Sequence, residues 1–384
     1  MNPLITVERS VSRLGSILRQ SRYRTFSSLS RFWQPHAVYG YIGWVGHRNL
    51  GDEVLLLSFD RLFPGSTFLS YGRLPPHVHW ARRHLHRRND FDAVFLGGGT
   101  LINANYLKRL VHAQARGIPT VVFGTGVRDP DFWGYRDPPK EWADALNAAS
   151  YVSVRGPDSA EILRSWGVRN VDVIGDPALA YCTPRADFRR AGLVSVNLGC
   201  SGPIWGEQGR ITDAVVEAVR RLRGRGQRVE FLPMHPDDVQ HADVLNRRLG
   251  DGAVPIWEAY EDAGRTLRRI AEYDMVIGQR LHAVVLSLGC GVPAISLAYR
   301  PKCIDFMKSV SLERFACRTD RMDADRLMGL VDEIDAAYDV TSAEIVAACD
   351  AVRGRLSAAA AAVMVTLATG AGSLGERKPA VEAI

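Results

Sequence analysis

From Tyr39 onward the chain repeats one pattern: a short apolar run, then a longer stretch in which apolar and polar positions alternate at helical spacing. Runs of this kind between amphipathic stretches predict βα units around a parallel sheet. AVYGYIGW, STFLSYG, DAVFLGGG, TVVFGTGV, YVSVRG and VDVIGDPA read as the strands of one unit. LVSVNLG, VEFLPMH, AVPIW, MVIGQ and PAISLAY read as the strands of a second. CTPRADFRRAG, with a proline, mixed charges and a glycine, separates the two series and is the linker expected. An Ala-rich helical stretch follows the second unit with no strand after it, so it is expected to pack back across the molecule.

The pattern predicts an α/β protein of two Rossmann-like domains with parallel sheets and a ligand cleft between them. The expected divisions are a basic extension over 1–37, an N-terminal Rossmann-like domain over 38–190 and a C-terminal one over 191–340. A C-terminal helix over 341–369 and a disordered tail over 370–384 complete the chain. In such tandem folds the ligand lies at the carboxyl ends of the strands, so chemistry is sought in the loops there.

Composition narrows the function. The formal charge is +6, and residues 1–37 carry six arginines (9, 13, 19, 22, 24, 31) against one acid, Glu8. The remaining chain is therefore nearly neutral, which argues against nucleic acid as a partner. In the extension Val7, Val11, Leu14 and Leu18 fall at helical spacing, a pattern able to meet an anionic membrane surface and equally typical of a frayed terminus. The six cysteines (182, 200, 290, 303, 317, 349) are scattered, without a CxxC pair, and read as ordinary thiols of a reducing cytosol. A cytoplasmic location is expected, with contact to the inner face of the membrane through residues 1–37.

Several loops could carry chemistry. GWVGHRNLGDE (43–53) leads from a strand into a helix, and its glycines would bring backbone N–H groups to a ligand. It lacks G-x-G-x-x-G spacing, and no acid ends the next strand, so a nicotinamide cofactor is not expected. Asn49 and Gly51 are candidate binding positions there, while Asp52 and Glu53 either act on substrate or simply complement the helix dipole. GGGTLIN (97–103) offers Gly97, Gly98, Gly99 and Thr100 as a cradle or an uncommitted turn, without the Gly-Lys-Ser/Thr of a triphosphate loop. Arg155, past the strand YVSV, is a surface cation or an anion clamp. In FLPMHPDD, His235 ends a strand and Asp237 or Asp238 can cap the next helix. HVHWARRHLHRR (77–88) holds four histidines, yet its arginines would repel a cation, so no metal is expected there or elsewhere.

IGQRLHAVVLSLGCGVPAISLAYRPK (277–302) is the most informative stretch. Arg280 and His282 stand two apart at a strand end, just before a helix begins, and Lys302 follows the next strand. An anion placed there would meet a guanidinium, an imidazole and a positive helix end together. LSLGCGVPAI looks like the helix-Gly-x-Pro-strand element of nucleotide-sugar glycosyltransferases, but the ribose-holding acid of those enzymes would fall on Leu286.

The ordered set GHRNLGDE, FLGGGTLIN, VRGPDS, IGDPAL, LPMHPDD, GQRLHAVVLSLGCGVPAI and YRPK resembles the polysaccharide pyruvyl transferase family over about residues 39–310. The resemblance implies a glycosyltransferase-B-like fold and transfer of pyruvate from phosphoenolpyruvate onto two hydroxyls of a sugar, forming a cyclic ketal. It places donor binding on Arg155, Arg280 and Lys302, with His282 beside them. The donor side would be the C-terminal domain and the acceptor side the N-terminal one. The first loop departs from the family's commoner Gly-Asn-x-Gly-Asp, and Arg155 is followed by Gly where an acid is usual. Three cations match the roughly three negative charges of the donor without a metal or other cofactor. A cationic His282 is the expected acid and Asp52, before Glu53, the expected base. The acceptor would be a lipid-linked or nucleotide-linked sugar. The alternatives are a glycosyltransferase using a nucleotide-sugar and an inactive sugar- or anion-binding relative.

Overall fold

The computed structural model describes residues 37–71, 91–134, 137–188, 190–200, 202–250, 252–257, 260 and 262–372. The expectations for residues 1–36, for the histidine run 77–88 and for the tail beyond 372 lie outside the described residues.

Among the described residues, twelve strands form two parallel sheets. The first contains β1 (Val38–Ile42), β2 (Thr67–Ser70), β3 (Ala93–Leu96), β4 (Gly99–Ile102), β5 (Thr120–Val127), β6 (Tyr151–Val154) and β7 (Asp172–Val173). The second contains β8 (Leu193–Asn197), β9 (Arg228–Phe231), β10 (Met275–Gly278), β11 (Ala294–Ala298) and β12 (Ala316–Arg318). The helices of the first half are α1 (Leu50–Leu62), α2 (Ala104–Ala115), α3 (Pro130–Trp133), α4 (Pro139–Asn147) and α5 (Pro157–Ser165). Those of the second are α6 (Gln208–Gly224), α7 (Val239–Leu249), α8 (Ala263–Ile270), α9 (Leu281–Gly289), α10 (Pro301–Ser309) and α11 (Ala324–Ala336), followed by α12 (Tyr338–Gly372).

The strand order is β2-β1-β3-β5-β6-β7, with β4 on β5, in one sheet and β12-β11-β10-β8-β9 in the other. The connections reverse direction between β1 and β3 in the first and between β8 and β10 in the second. Such switch points open a crevice at the strands' carboxyl ends. They turn the loops after β1, β3, β8 and β10 into the natural walls of a site.

Helix covering of both faces explains the uniformly apolar strands: all eight residues of β5 are buried. Phe59 of α1 and Phe63, the residue that caps its C-terminus, pack edge-on against Phe95 and Phe123, a cluster that anchors α1 over the first sheet. A continuous core runs from these rings through Leu179 and Cys182 to Leu286 and Leu288 of α9 and on to α12.

α12 does pack back across the molecule, burying Ile345, Cys349, Val352, Leu356 and Val363. A β-carbon at Gly175 would lie 2.2 Å from Val352, so the chain after β7 approaches α12 as closely as backbone allows. The helix runs from Tyr338 to Gly372, longer at both ends than expected. By length and composition it could cross a membrane, and one face is committed to the core.

Three strand readings change. AVPIW forms only a single bridge, Phe231 to Ile256, because Pro255 has no N–H to extend a ladder. Part of GGGTLIN, read as a loop, becomes strand β4 once Gly99 takes φ 108° and redirects the chain onto β5. β12 is three residues long, too short to show a period in sequence.

Candidate active site

The loops at the two switch points meet. Leu50, at the start of α1, donates its backbone N–H to Met234 O at 3.0 Å, and His235 Nε2 lies 3.1 Å from His47 O. The first-half loop is thus seated on the second half. Asn49 caps α1 by accepting from Gly51 N at 3.2 Å, and Glu53 Oε1 accepts from Gly46 N at 2.7 Å. Both side chains hold the loop in shape.

His235 is also structural. Its Nδ1 accepts from Asp237 N at 3.1 Å and so caps the short 3-10 turn Pro236–Asp238, while the helix that follows, α7, has Asp238 at its N-cap position but no side-chain cap, contrary to the expectation that an aspartate side chain would cap it. Asp238 instead is fully buried and receives the Arg280 guanidinium, with Nε at 2.9 Å, while its other oxygen accepts from Met234 N at 2.9 Å. Arg280 therefore stands at the start of α9 with a fixed orientation.

Arg155 is placed by the end of β6, where its backbone N–H donates to Thr125 O at 2.8 Å. Its guanidinium lies over β5 at Gly126: a β-carbon there would be 2.7 Å from Nη2. Glycine is required to admit it. The side chain is 1% exposed, and none of its three nitrogens makes a hydrogen bond within the described residues. Its counter-ion is Asp176, with Nη1 to Oδ2 at 3.6 Å.

Asp176 is the residue that sequence reasoning missed. It is completely buried, its Oδ1 accepts from Ala178 N at 3.0 Å to cap the turn Pro177–Tyr181, and its Oδ2 has no hydrogen-bond partner within the described residues. That same Oδ2 lies 3.8 Å from His282 Nε2, which is also without one. Buried polar atoms left this way are rare and costly. Here three residues, one from each of three elements, gather them at one point.

His282 completes the group from α9. Gly51 lies against its ring, since a β-carbon there would be 2.1 Å from Nδ1. The expected cationic state is not the resting one: burial pushes the imidazole down to about 4, against the pull of Asp176 and with the help of Arg155 and Lys302. A buried imidazole surrounded by two cations holds its proton weakly until an anion arrives.

Asp52, one residue from that contact, is pushed up to about 7 by burial, with Lys302 and Arg280 opposing and Glu53 and Asp176 reinforcing. It sits beside Gly99, whose β-carbon position would be 3.8 Å from Oδ1. Lys302 opens α10 with Nζ over the Tyr299 ring at 5.2 Å. In GGG, Gly97 packs on the Tyr41 ring and Gly98 on Leu55, so these two glycines serve close packing, while Gly99 flanks Asp52. Thr100 lies on β4, its carbonyl accepting from Asn103 Nδ2 at 2.9 Å. Among the described residues no three His, Cys, Asp or Glu side chains gather as metal ligands.

The structure thus brings together Arg155, Asp176, His282, Asp52, Lys302 and Arg280, with Asn49, Glu53 and His235 hydrogen-bonded in the loops around them. The far side of this arrangement is closed by a cross-half contact: Asp305 of α10, 3% exposed, accepts from Asp158 N at 2.9 Å and Ser159 Oγ at 2.6 Å at the start of α5. The helix end next to Arg155 is therefore already occupied by a protein carboxyl.

Two parallel sheets with a site where their switch points meet define a glycosyltransferase-B-like protein, and solved structures agree. A putative UDP-N-acetylglucosamine 2-epimerase from Listeria monocytogenes is 12% identical, with a TM-score of 0.54 over 88% of this chain and 97% of its own. Anabaena Alr3699/HepE, solved with UDP, is 14% identical, with a TM-score of 0.53 over 87% and 100%. A UDP-glucosyltransferase from Polygonum tinctorium is 14% identical, with a TM-score of 0.53 over 87% and 99%. No curated protein matches the sequence. The sequence model described as polysaccharide pyruvyl transferase matches residues 49–301, more than half of the chain, and every residue of this cluster except Lys302 falls inside it. The chain belongs to the polysaccharide pyruvyl transferase family.

Proposed function

We propose that the protein transfers the pyruvate unit of phosphoenolpyruvate to two hydroxyls of a sugar, giving a cyclic ketal and inorganic phosphate. The observation that carries this reading is Arg155: a guanidinium 1% exposed and without a hydrogen bond among the described residues, facing His282 across Asp176. A buried cation held so is arranged for an anion that arrives from outside. Arg280 and Lys302 add two more charges at the same cleft, enough to match the donor's phosphate and carboxylate without a metal or other cofactor.

The chemistry divides among the side chains. His282, protonated once the donor's charge lies beside it, gives a proton to the methylene carbon of the enol phosphate. A sugar hydroxyl adds to the resulting cationic carbon and loses its proton to Asp52, whose raised pKa of about 7 suits a base near neutral pH. The C–O bond to phosphate then breaks with Arg280 and Lys302 stabilising the leaving phosphate, the second hydroxyl adds to the same carbon to close the ketal, and its proton passes to the departing phosphate, which leaves as the dianion. The acceptor is a lipid-linked or nucleotide-linked sugar of a cell-envelope polysaccharide, modified in the cytoplasm. The alternative, a nucleotide-sugar glycosyltransferase, is supported by the fold of the structural neighbours only, and Leu286, the position for a ribose-holding acid, is buried apolar core.

Incubation with phosphoenolpyruvate and nucleotide- or lipid-linked sugars separates the readings. Phosphate released in step with a new ketal supports pyruvyl transfer. Nucleotide released from a nucleotide-sugar supports the alternative, and ligand binding without either product marks an inactive relative.

A further inference from the structure

The Arg155, Asp176 and His282 cluster has an electrostatic consequence beyond donor binding. Asp176 Oδ2 stands between a guanidinium at 3.6 Å and an imidazole nitrogen at 3.8 Å, and hydrogen-bonds to neither. Both distances suit an ion pair and are long for a hydrogen bond. The imidazole's Nδ1 side is covered by Gly51, so Nε2 is the nitrogen that faces the acid. We propose, resting on the donor assignment above, that Asp176 is a positioning residue. It keeps Arg155 and His282 directed into the donor pocket, and it retains on His282 the proton that enters with the anionic donor.

Charge in a closed space gives Asp176 this role. Around His282 stand Asp176 from the Pro177 turn, Arg155 from the end of β6, Lys302 from α10, and Gly51 and Asp52 from α1. Before the donor binds, the two cations and burial keep the ring neutral. A donor bound to Arg155 brings a second negative group to the ring's environment beside Asp176. Two anions flanking one buried imidazole favour its charged form, and taking a proton from solvent lowers the repulsion between them. The same carboxyl that would otherwise repel the donor becomes tolerable because His282 is charged. Donor binding and loading of the catalytic acid are then one event.

Asp176→Asn isolates the charge, because the amide oxygen can still accept from Ala178 N and keep the turn capped. The measurement is calorimetry of phosphoenolpyruvate binding at pH 7.5 in two buffers of different ionisation heat, which counts protons exchanged on binding. At that pH the free donor phosphate is almost fully ionised and contributes little. The native chain is expected to take up at least about half a proton per donor, and D176N less than about a third of that. His282→Gln is expected to lose most of this uptake, whereas Asp52→Asn, which removes only the share that Asp52 takes up at its raised pKa of about 7, is expected to keep most of it. Turnover of D176N should fall about 10- to 100-fold without a rise in KM for the donor, a split that a merely structural defect does not produce. Melting temperatures confirm that each variant is folded. Binding without proton uptake, equal uptake by D176N and native protein, or uptake lost in D52N and kept in H282Q each overturns the role of Asp176 and leaves the donor assignment standing. No binding of phosphoenolpyruvate overturns both.

Discussion

Gly51 of α1 and His282 of α9 touch without an intervening side chain: a β-carbon on Gly51 would lie 2.1 Å from the imidazole Nδ1 and 2.2 Å from Cγ. The first half of the chain thereby fixes the ring that the second half supplies. Gly51→Ala should displace the imidazole by a substantial part of an ångström and cut turnover about 100-fold, since misplacement of that order is costly to catalysis. Steady-state kinetics beside a melting curve checks it, and unchanged turnover would remove the contact from the account.

This contact marks the limit of what the chain reveals on its own. Arg155, Arg280, His282 and Lys302 were legible because cations at the ends of apolar runs are conspicuous. The two parallel sheets were legible from the same runs. Asp176 was not, because Asp-Pro after a strand reads as an ordinary turn signal, and its partners come from residues 155 and 282, distant in sequence. Asp238 was read as a helix cap for the same reason, and only folding shows Arg280 reaching it. Glu53 differs from Asp52 by one position in a helix, so which of the two faces the cleft depends on how the preceding loop closes.

Asp176 and Arg155 should be energetically coupled. Arg155→Met leaves a buried carboxyl without its guanidinium, and Asp176→Asn leaves the reverse, so each is expected to lower unfolding free energy by about 1–3 kcal/mol. The double variant removes both charges and should recover to within about 1 kcal/mol of the native chain. Denaturant unfolding of the four proteins measures the coupling, and additive losses would contradict the pairing.

Arg280 and Lys302 are expected to differ in what else they do. Alanine at either should weaken phosphoenolpyruvate binding by about 1.5–3 kcal/mol, the scale of a hydrogen bond to a charged group. Arg280→Ala also strips the buried Asp238 of its guanidinium and should lower stability. Lys302→Ala, whose side chain is partly exposed, should leave stability within about 0.5 kcal/mol. Chelator is expected to change neither affinity. Calorimetry and unfolding of the two variants test this, and strict dependence on a divalent ion would overturn the three-cation account.

Asp52 gives the site a pH signature. Its folded pKa, about 7, lies above its ordinary 3.8, so the folded chain binds this proton more tightly than the unfolded one. The stability it adds is full below about 3.8 and is lost as pH rises through about 7. Asp52→Asn should therefore raise the melting temperature at pH 8 and have little effect at pH 4. As a base Asp52 must be ionised, so kcat/KM should fall below about pH 7, and the variant should lose both that limb and most activity. A flat profile in the native protein would exclude it as the base.

Phosphate release over a range of phosphoenolpyruvate concentrations, at fixed sugar acceptor, in the native chain and in His282→Gln tests pyruvyl transfer with His282 as the proton donor. The native protein is expected to release phosphate in step with ketal formation. In H282Q, turnover should fall by about two to four orders of magnitude, the range of a lost general acid, while KM for the donor changes little. Near-native turnover in the folded variant would move His282 to binding alone, and nucleotide release in place of phosphate by the native protein would contradict pyruvyl transfer itself.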